Sequence, residues 1–232
     1  MNDIFLRTRL LIGQEAINKL KSSKVAVFGV GGVGSFVTEA LARASVGKID
    51  IFDGDVVDAT NINRQLIALH STIGMSKVEV MKKRLLDINP EIVVNAHHVV
   101  FNASNVDEFS FEDYDYIVDA IDMVSSKLLI ISKAKALGKN VISSMGMGNK
   151  INPSMIEITD IFSTQNCPLA RVMRRELKAR KISSLKVVYS KEMPLYKPEN
   201  KVNSSISFVP SVGGLMIASE VVRDLIKDYL KN

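Results

Sequence analysis

The stretch KVAVFGVGGVGS, residues 24–35, decides the fold. Residues 25–28 form an apolar run with the length of a buried strand, and glycines follow at once. Gly29, Gly31 and Gly34 fit the pattern G-x-G-x-x-G, with Gly32 as an extra. From 34 to 44, Phe36, Val37, Ala40, Leu41 and Ala44 recur at helical spacing. A strand, a bare turn and a helix in this order let backbone N–H groups approach a phosphate at the helix N-terminus.

Working outward, strands are expected at 48–53, 92–96, 116–121 and 141–144. Helices are expected at 77–88, ended by Asn89-Pro90, and at 127–137, ended by Gly138. Strands alternating with helices imply parallel βαβ units. Residues 1–150 therefore read as a Rossmann-like, doubly wound α/β core. After Pro153 the pattern changes. A strand is expected at 155–159, a helix at 168–180 with Pro168 at its first position, a strand at 186–190 and a final helix at 212–230. The segment 194–205 has little periodicity and reads as a mobile loop. Residues 151–232 read as an elaboration on the same sheet.

Bulk composition agrees with a globular chain. Of 232 residues, 47% are hydrophobic and 24% charged, enough for a sizeable core. No apolar run approaches the roughly 20 residues of a spanning helix. MNDIFLRTRL lacks a signal-peptide pattern, and LIKDYLKN carries too many charges for an anchor. One cysteine excludes an internal disulfide and a tetracysteine zinc site. The expectation is a soluble cytoplasmic protein without a membrane partner. A net charge of +5 suits a polyanionic partner where the charge clusters.

Asp53 lies 24 residues after Gly29 at an expected strand end, where a carboxylate can accept hydrogen bonds from ribose hydroxyls. That pair alone suits a nicotinamide dinucleotide as well as ATP. The segment DGDVVDATNINRQLIALHSTIGMSKVEVMKKRL, 53–85, adds Asn61, Arg64, Gln65 and Lys77, and DAID adds Asp122. A dinucleotide has one pyrophosphate over the glycines and needs no further Arg, Lys and Asp. Attack at the α-phosphate of ATP needs a metal and cations to hold departing pyrophosphate. Arg64 and Lys77 suit those cations, and Asp122 suits Mg²⁺. The bland alternative is that Arg64 and Lys77 are solvated helix-end residues.

GVGGVG, D-x-D-x-V-x-x-x-N-x-x-R-Q, K-V-E-x-x-x-x-R-x-x-x-I-N-P and V-D-A-I-D together resemble the adenylating domain of the ubiquitin-activating superfamily. The resemblance implies that Asp53 holds the ATP ribose, that Asn61, Arg64 and Lys77 contact the phosphates, and that Asp122 binds Mg²⁺. It implies a homodimer in which an N-terminal arginine reaches the partner's ATP. Arg7 in FLRTRLLIG best matches that position, with Arg9 the runner-up. One departure is Met123, where the family usually has Asn or Ser.

The remaining question is which carboxylate is activated. Enzymes that activate ubiquitin-like carriers commonly carry two CxxC pairs, but here only Cys167 exists, and no thiol catalysis is expected of it. Residues 165–191 concentrate Arg171, Arg174, Arg175, Lys178, Arg180, Lys181 and Lys186, with Glu176 the one acid among them. The expected helix buries Leu169, Val172, Met173 and Leu177 and projects Arg171, Arg174, Arg175 and Lys178 outward. This reads as a face for a polyanion, met through shape and phosphate contacts in the absence of an aromatic ladder.

PLARVMRREL, LKVVYS and SISFVPSVGGLMIASEVV resemble one branch of the superfamily, whose members dehydrate N6-threonylcarbamoyladenosine at position 37 of tRNA to its cyclic form. The branch implies adenylation of the threonine carboxylate, then ring closure by the neighbouring carbamoyl group with release of AMP. It also implies a monovalent cation (K⁺ or Na⁺) and a cysteine desulfurase system, neither assigned to residues. Two alternatives stay open: an adenylyltransferase for a ubiquitin-like sulfur carrier, and a nicotinamide dehydrogenase or redox-sensing module.

Overall fold

A computed structural model describes residues 3–195 and 204–230. Most of the expected mobile loop, 196–203, lies outside the described residues. Seven strands form one sheet: β1 (Lys24–Phe28), β2 (Lys48–Phe52), β3 (Val93–His97), β4 (Tyr116–Asp119), β5 (Asn140–Ser144), β6 (Ile156–Asp160) and β7 (Lys186–Ser190). Their spatial order is β3-β2-β1-β4-β5-β7-β6. Every pairing is parallel except that of β6 with β7.

β1 lies inside the sheet between β2 and β4 and is buried on both faces, which explains its unbroken apolar run. Val25 and Val27 point into one core, shared with Leu41, Met81, Leu85 and Ile217. Ala26 and Phe28 point into the other, shared with Ile130, Met173 and Leu177. Phe28 stacks on Phe52 of β2 at 4.3 Å between ring centroids, and Phe52 on His97 of β3 at 4.3 Å. Each such fully buried large side chain stabilises the fold by about 1.5–3 kcal/mol.

The helices are α1 (Leu6–Ile12), α2 (Gln14–Ser22), α3 (Gly34–Arg43), α4 (Lys77–Ile88), α5 (Val124–Ala136), α6 (Pro168–Ala179) and α7 (Phe208–Leu225). α2, α3, α4 and α7 cover one face of the sheet, and α5 and α6 the other. The doubly wound architecture expected from the alternation is present. Among the described residues no helix is long and apolar enough to cross a membrane.

Several boundaries differ from the sequence reading. α7 begins at Phe208, four residues before the expected start, and ends at Leu225 with a short 3-10 turn beyond. Pro210 lies in its first turn, where its missing N–H costs no intrahelical bond. Gly214 of α7 lets the helix press on α3: a Cβ there would lie 2.4 Å from the Val33 carbonyl oxygen. β4 ends at Asp119 and α5 starts at Val124, so 120–123 is loop and not strand. α6 buries Ala170, Met173 and Leu177, while Leu169 and Val172 are only half-buried.

Candidate nucleotide and acceptor site

The strand order reverses between β1 and β4, and at such a point the loops leaving the C-terminal strand ends part to leave a crevice. A cavity of about 670 Å³ opens there. The loops after β1, β2, β3 and β4 and the start of α4 line one half. The loop after β5 and the start of α6 line the other.

The four glycines divide by cause. Gly29 has φ +90° and packs so tightly that a Cβ would lie 2.7 Å from the Ala120 carbonyl oxygen. A Cβ on Gly34 would lie 1.8 Å from the Gly29 oxygen. The fold itself requires both, and Gly34 does not line the cavity. Gly31 and Gly32 do line it. A Cβ on Gly31 would meet nothing nearer than Gln65 Nε2 at 3.7 Å, and one on Gly32 would meet Pro210 Cβ at 3.3 Å. Bareness at Gly31 is therefore not demanded by the chain's own packing. It suits a ligand that approaches the backbone.

Asp53 follows β2 and braces this turn. Its Oδ2 accepts from the Val30 N–H at 2.7 Å and its Oδ1 from the Asp55 N–H at 2.9 Å. Each oxygen keeps further acceptor capacity, and Asp53 lines the cavity. Asn61 ends a 3-10 turn and its Oδ1 accepts from the Asp58 N–H at 3.2 Å. The Arg64 guanidinium donates to the Thr60 carbonyl at 2.9 Å and to Asn63 Oδ1 at 2.8 Å. Gln65 is buried, and its Oε1 has no hydrogen-bond partner among the described residues. A buried orphan acceptor on a cavity wall fits a ligand donor.

Lys77 opens α4, is buried, and reaches Asp55 Oδ2 at 2.7 Å. The Asp55 side chain is 69% exposed, so the ammonium has a solvent-facing partner that a phosphate oxygen can replace. Asp122 lies exposed in the loop after β4. Among the described residues no cluster of three or more His, Cys, Asp or Glu side chains is arranged to hold a metal. A lone carboxylate beside a phosphate cradle still fits Mg²⁺, which takes one or two carboxylates and completes its shell with phosphates and water.

The Asp122 loop is held from below by Lys127, which sequence reasoning missed. This fully buried lysine sits 3.0 Å from Asp119 Oδ2 and donates to the Ile121 and Ser144 carbonyls at 2.9 and 2.8 Å. Ser143 donates to the same Asp119 oxygen at 2.6 Å. A cation within the apolar helix KLLII, five residues after Asp122, was the available signal. Lys150 and Cys167, both buried, line the acceptor half. Burial pushes the Lys150 ammonium below the usual lysine range, with Cys167 and Glu192 opposing.

One expectation fails in part on geometry. The seven cations of 165–191 do not form one outward face. Arg174 turns inward and donates to the Thr164 carbonyl at 2.9 Å and to its hydroxyl. Arg175 and Arg180 pair with Glu176 at 3.1 and 2.9 Å. Lys186 lies under α7, paired with Glu220 and Asp224 at 2.7 Å each. Although burial works against its charge, those two carboxylates hold its pKa above the ordinary value. Arg171, Arg175, Lys178, Arg180 and Lys181 stay exposed, as expected for Arg171, Arg175 and Lys178, with Arg175 and Arg180 sharing Glu176. Arg7 is exposed on α1 and is not brought to the cavity within one chain. Arg9 pairs with Asp3 at 2.8 Å.

Comparison with known proteins follows the same lines. The ThiF family model matches residues 5–232. A tRNA threonylcarbamoyladenosine dehydratase of Bacillus subtilis is 42% identical over 241 residues, covering 97% of this chain and 95% of that protein. The crystal structure of Escherichia coli tRNA N6-threonylcarbamoyladenosine dehydratase, TcdA, in complex with ATP superposes with a TM-score of 0.91 at 31% identity, covering 97% of this chain and 94% of that one. The complex of the same protein with AMP gives 0.90 at 31%, covering 96% and 93%.

Proposed function

The chain belongs to the ThiF family, and from that premise we propose that it is an ATP-dependent enzyme that dehydrates N6-threonylcarbamoyladenosine at position 37 of tRNA to its cyclic form. One observation carries the reading. The likeness to threonylcarbamoyladenosine dehydratases extends beyond the nucleotide-binding half and runs through the last third of the chain, which supplies Cys167 to Leu169, Pro194, Ser204 and Ser205 to the acceptor half of the cavity.

In this reading the adenosine ribose meets Asp53, and the phosphates lie over the N–H groups of Gly31 and Gly32, with Gly29 and Gly34 shaping the turn. Asn61, Arg64 and Lys77 face the phosphates, and Gln65 lines the nucleotide site with its acceptor, free among the described residues, toward a ligand donor. A Mg²⁺ ion held by Asp122 would add Lewis-acid stabilisation to the departing pyrophosphate. The threonine carboxylate oxygen attacks the α-phosphorus. The new O–P bond forms as the bond to pyrophosphate breaks. The neighbouring carbamoyl group then attacks the activated carbonyl, loses a proton and expels AMP. Overall, ATP becomes AMP and pyrophosphate, and the nucleoside loses the elements of one water. The second step is intramolecular, so high effective concentration drives it and no enzyme thiol is needed.

The exposed cations Arg171, Lys178 and Lys181 are the surface for tRNA phosphates. The protein acts in the cytoplasm as a homodimer, in which Arg7 enters the partner's site. The exposed Leu10 and Leu11 of α1, 77% and 84% accessible, support an apolar contact between copies. A K⁺ or Na⁺ ion and a cysteine desulfurase partner belong to this reading through the sequence resemblance alone.

The test is mass spectrometry of nucleosides from threonylcarbamoylated tRNA incubated with the protein and Mg·ATP, with a sulfur-carrier protein in a parallel reaction. Loss of one water from the modified adenosine is expected. An unchanged nucleoside alongside adenylation of the carrier would overturn the proposal.

A further inference from the structure

The acceptor half of the cavity poses an electrostatic problem. A carboxylate must come into contact with a nucleotide that already carries several negative charges. Arg64 and Lys77 stand on the β1 and β2 side, around the glycine turn, where the nucleotide phosphates lie. The acceptor enters from the β5 and β7 side. Among the described residues lining that side, Ser144 to Lys150, Cys167 to Leu169, Pro194, Ser204 and Ser205, one is charged, and it is Lys150.

Lys150 is built into place. It is 5% exposed, and its ammonium donates to the Ser190 carbonyl at the end of β7 at 2.7 Å. The chain just after it is pinned, because the buried Glu192 carboxylate accepts from the Ile151 N–H at 3.1 Å and the Asn152 N–H at 2.8 Å. An ammonium has three donors, and Ser190 takes one. The other two have no acceptor among the described residues. The nearby Glu192 carboxylate favours the charge on Lys150 but forms no ion pair with it, its oxygens being occupied by the Ile151 and Asn152 N–H groups, so a buried cation with spare donors on a cavity wall still suits an incoming anion.

We propose that Lys150 binds the carboxylate of the acceptor, the threonine carboxylate of the modified adenosine, and holds it for attack at the α-phosphorus. The proposal rests on the function above and adds the residue that distinguishes tRNA bearing the threonylcarbamoyl group from tRNA lacking it. Lys150 neutralises the incoming charge against the nucleotide and is released toward Ser190 once the carboxylate has become an anhydride.

Lys150→Met and Lys150→Arg test it. Affinity for tRNA with and without the threonylcarbamoyl group is measured by filter binding, with Mg²⁺ and α,β-methylene ATP present, whose non-cleavable bridge stops the reaction. Calorimetry gives affinity for the ATP analogue alone. Wild type should prefer the modified tRNA. Lys150→Met should lose about 10- to 100-fold in affinity for modified tRNA, the scale of a broken charge-assisted hydrogen bond. Its affinities for unmodified tRNA and nucleotide should stay within about twofold, and Lys150→Arg should restore part of the preference. An equal loss toward both tRNAs, or a Lys150→Met protein that discriminates as wild type does, overturns the assignment while leaving the dehydratase reading intact. A wild-type protein that turns over no modified tRNA overturns the function itself. A thermal melt accompanies each variant. If Lys150→Met fails to fold, Lys150→Gln carries the same comparison, and no change in its preference refutes the proposal.

Discussion

Two glycines three residues apart are expected to fail in opposite ways when each is changed to alanine. At Gly34 the new Cβ would sit 1.8 Å from the Gly29 carbonyl oxygen and 2.8 Å from its carbon. Both are backbone atoms, so the turn must move. Overpacking of this kind costs about 3 kcal/mol at the upper end of the usual range. For a chain of this size that lowers Tm by about 6–12 °C. At Gly31 the nearest atom to a new Cβ is Gln65 Nε2 at 3.7 Å, and φ is not positive. Gly31→Ala should leave the free protein unchanged or more stable by up to about 1 kcal/mol. Its defect is expected only with ligand. Mg·ATP at 100 times its Kd stabilises a folded protein by about 2.7 kcal/mol, a rise of about 5–11 °C for the wild type. A tenfold loss of affinity in Gly31→Ala would halve that rise. Thermal melts with and without Mg·ATP, paired with calorimetry, separate the two cases. A Gly31→Ala protein that binds Mg·ATP like wild type would refute the idea that phosphates lie against that backbone.

Other perturbations follow from the same geometry. Asp122→Ala removes an exposed loop carboxylate, so Tm should hold within about 2 °C, the effect of an ordinary surface change, while AMP production falls by more than about 100-fold; near-normal turnover would dismiss Asp122 as the metal ligand. Charge reversal at Arg171 and Lys178 should weaken tRNA binding and flatten its salt dependence, measured by filter binding across a salt series, with ATP affinity untouched. The same reversal at Arg174 should instead lower Tm, because Arg174 is bonded to Thr164 and does not face outward; equal tRNA effects from both would contradict this division. Cys167→Ala should keep turnover within a few-fold, and a folded but inactive variant would restore a thioester route.

The fold was legible because β1 is buried on both faces and announces itself as an uninterrupted apolar run before a bare turn. Period and punctuation carried most other elements, though α1 and α2 were not read and α5 starts at Val124, before the expected 127; the reason is the same, since burial on a sheet leaves an apolar pattern. Pairing leaves none. The crowd of cations in 165–191 looked like one surface, yet the structure puts Lys186 on the opposite face against Glu220 and Asp224, acids more than thirty residues away. Arg174 was assigned outward by helical spacing, but a long side chain can turn back to a carbonyl at Thr164 that spacing does not locate. The expected start at 212 left Phe208 to Ser211 out of α7. Pro210 is compatible with the first turn and Gly214 with close contact to α3. Asp53, Asn61, Arg64, Gln65, Lys77 and Asp122 were visible as spaced polar residues at strand ends. Lys127 and Lys150 were not, because their roles depend on burial beside carbonyls that sequence spacing cannot bring together.

The central claim is that an oxygen of the threonine carboxylate attacks the α-phosphorus of ATP held over the glycine turn. It is tested most directly with tRNA whose threonylcarbamoyl carboxylate carries ¹⁸O. After one turnover with Mg·ATP, the account predicts one ¹⁸O atom in the released AMP and none in the pyrophosphate. Label found in inorganic phosphate, or AMP free of label, would contradict it.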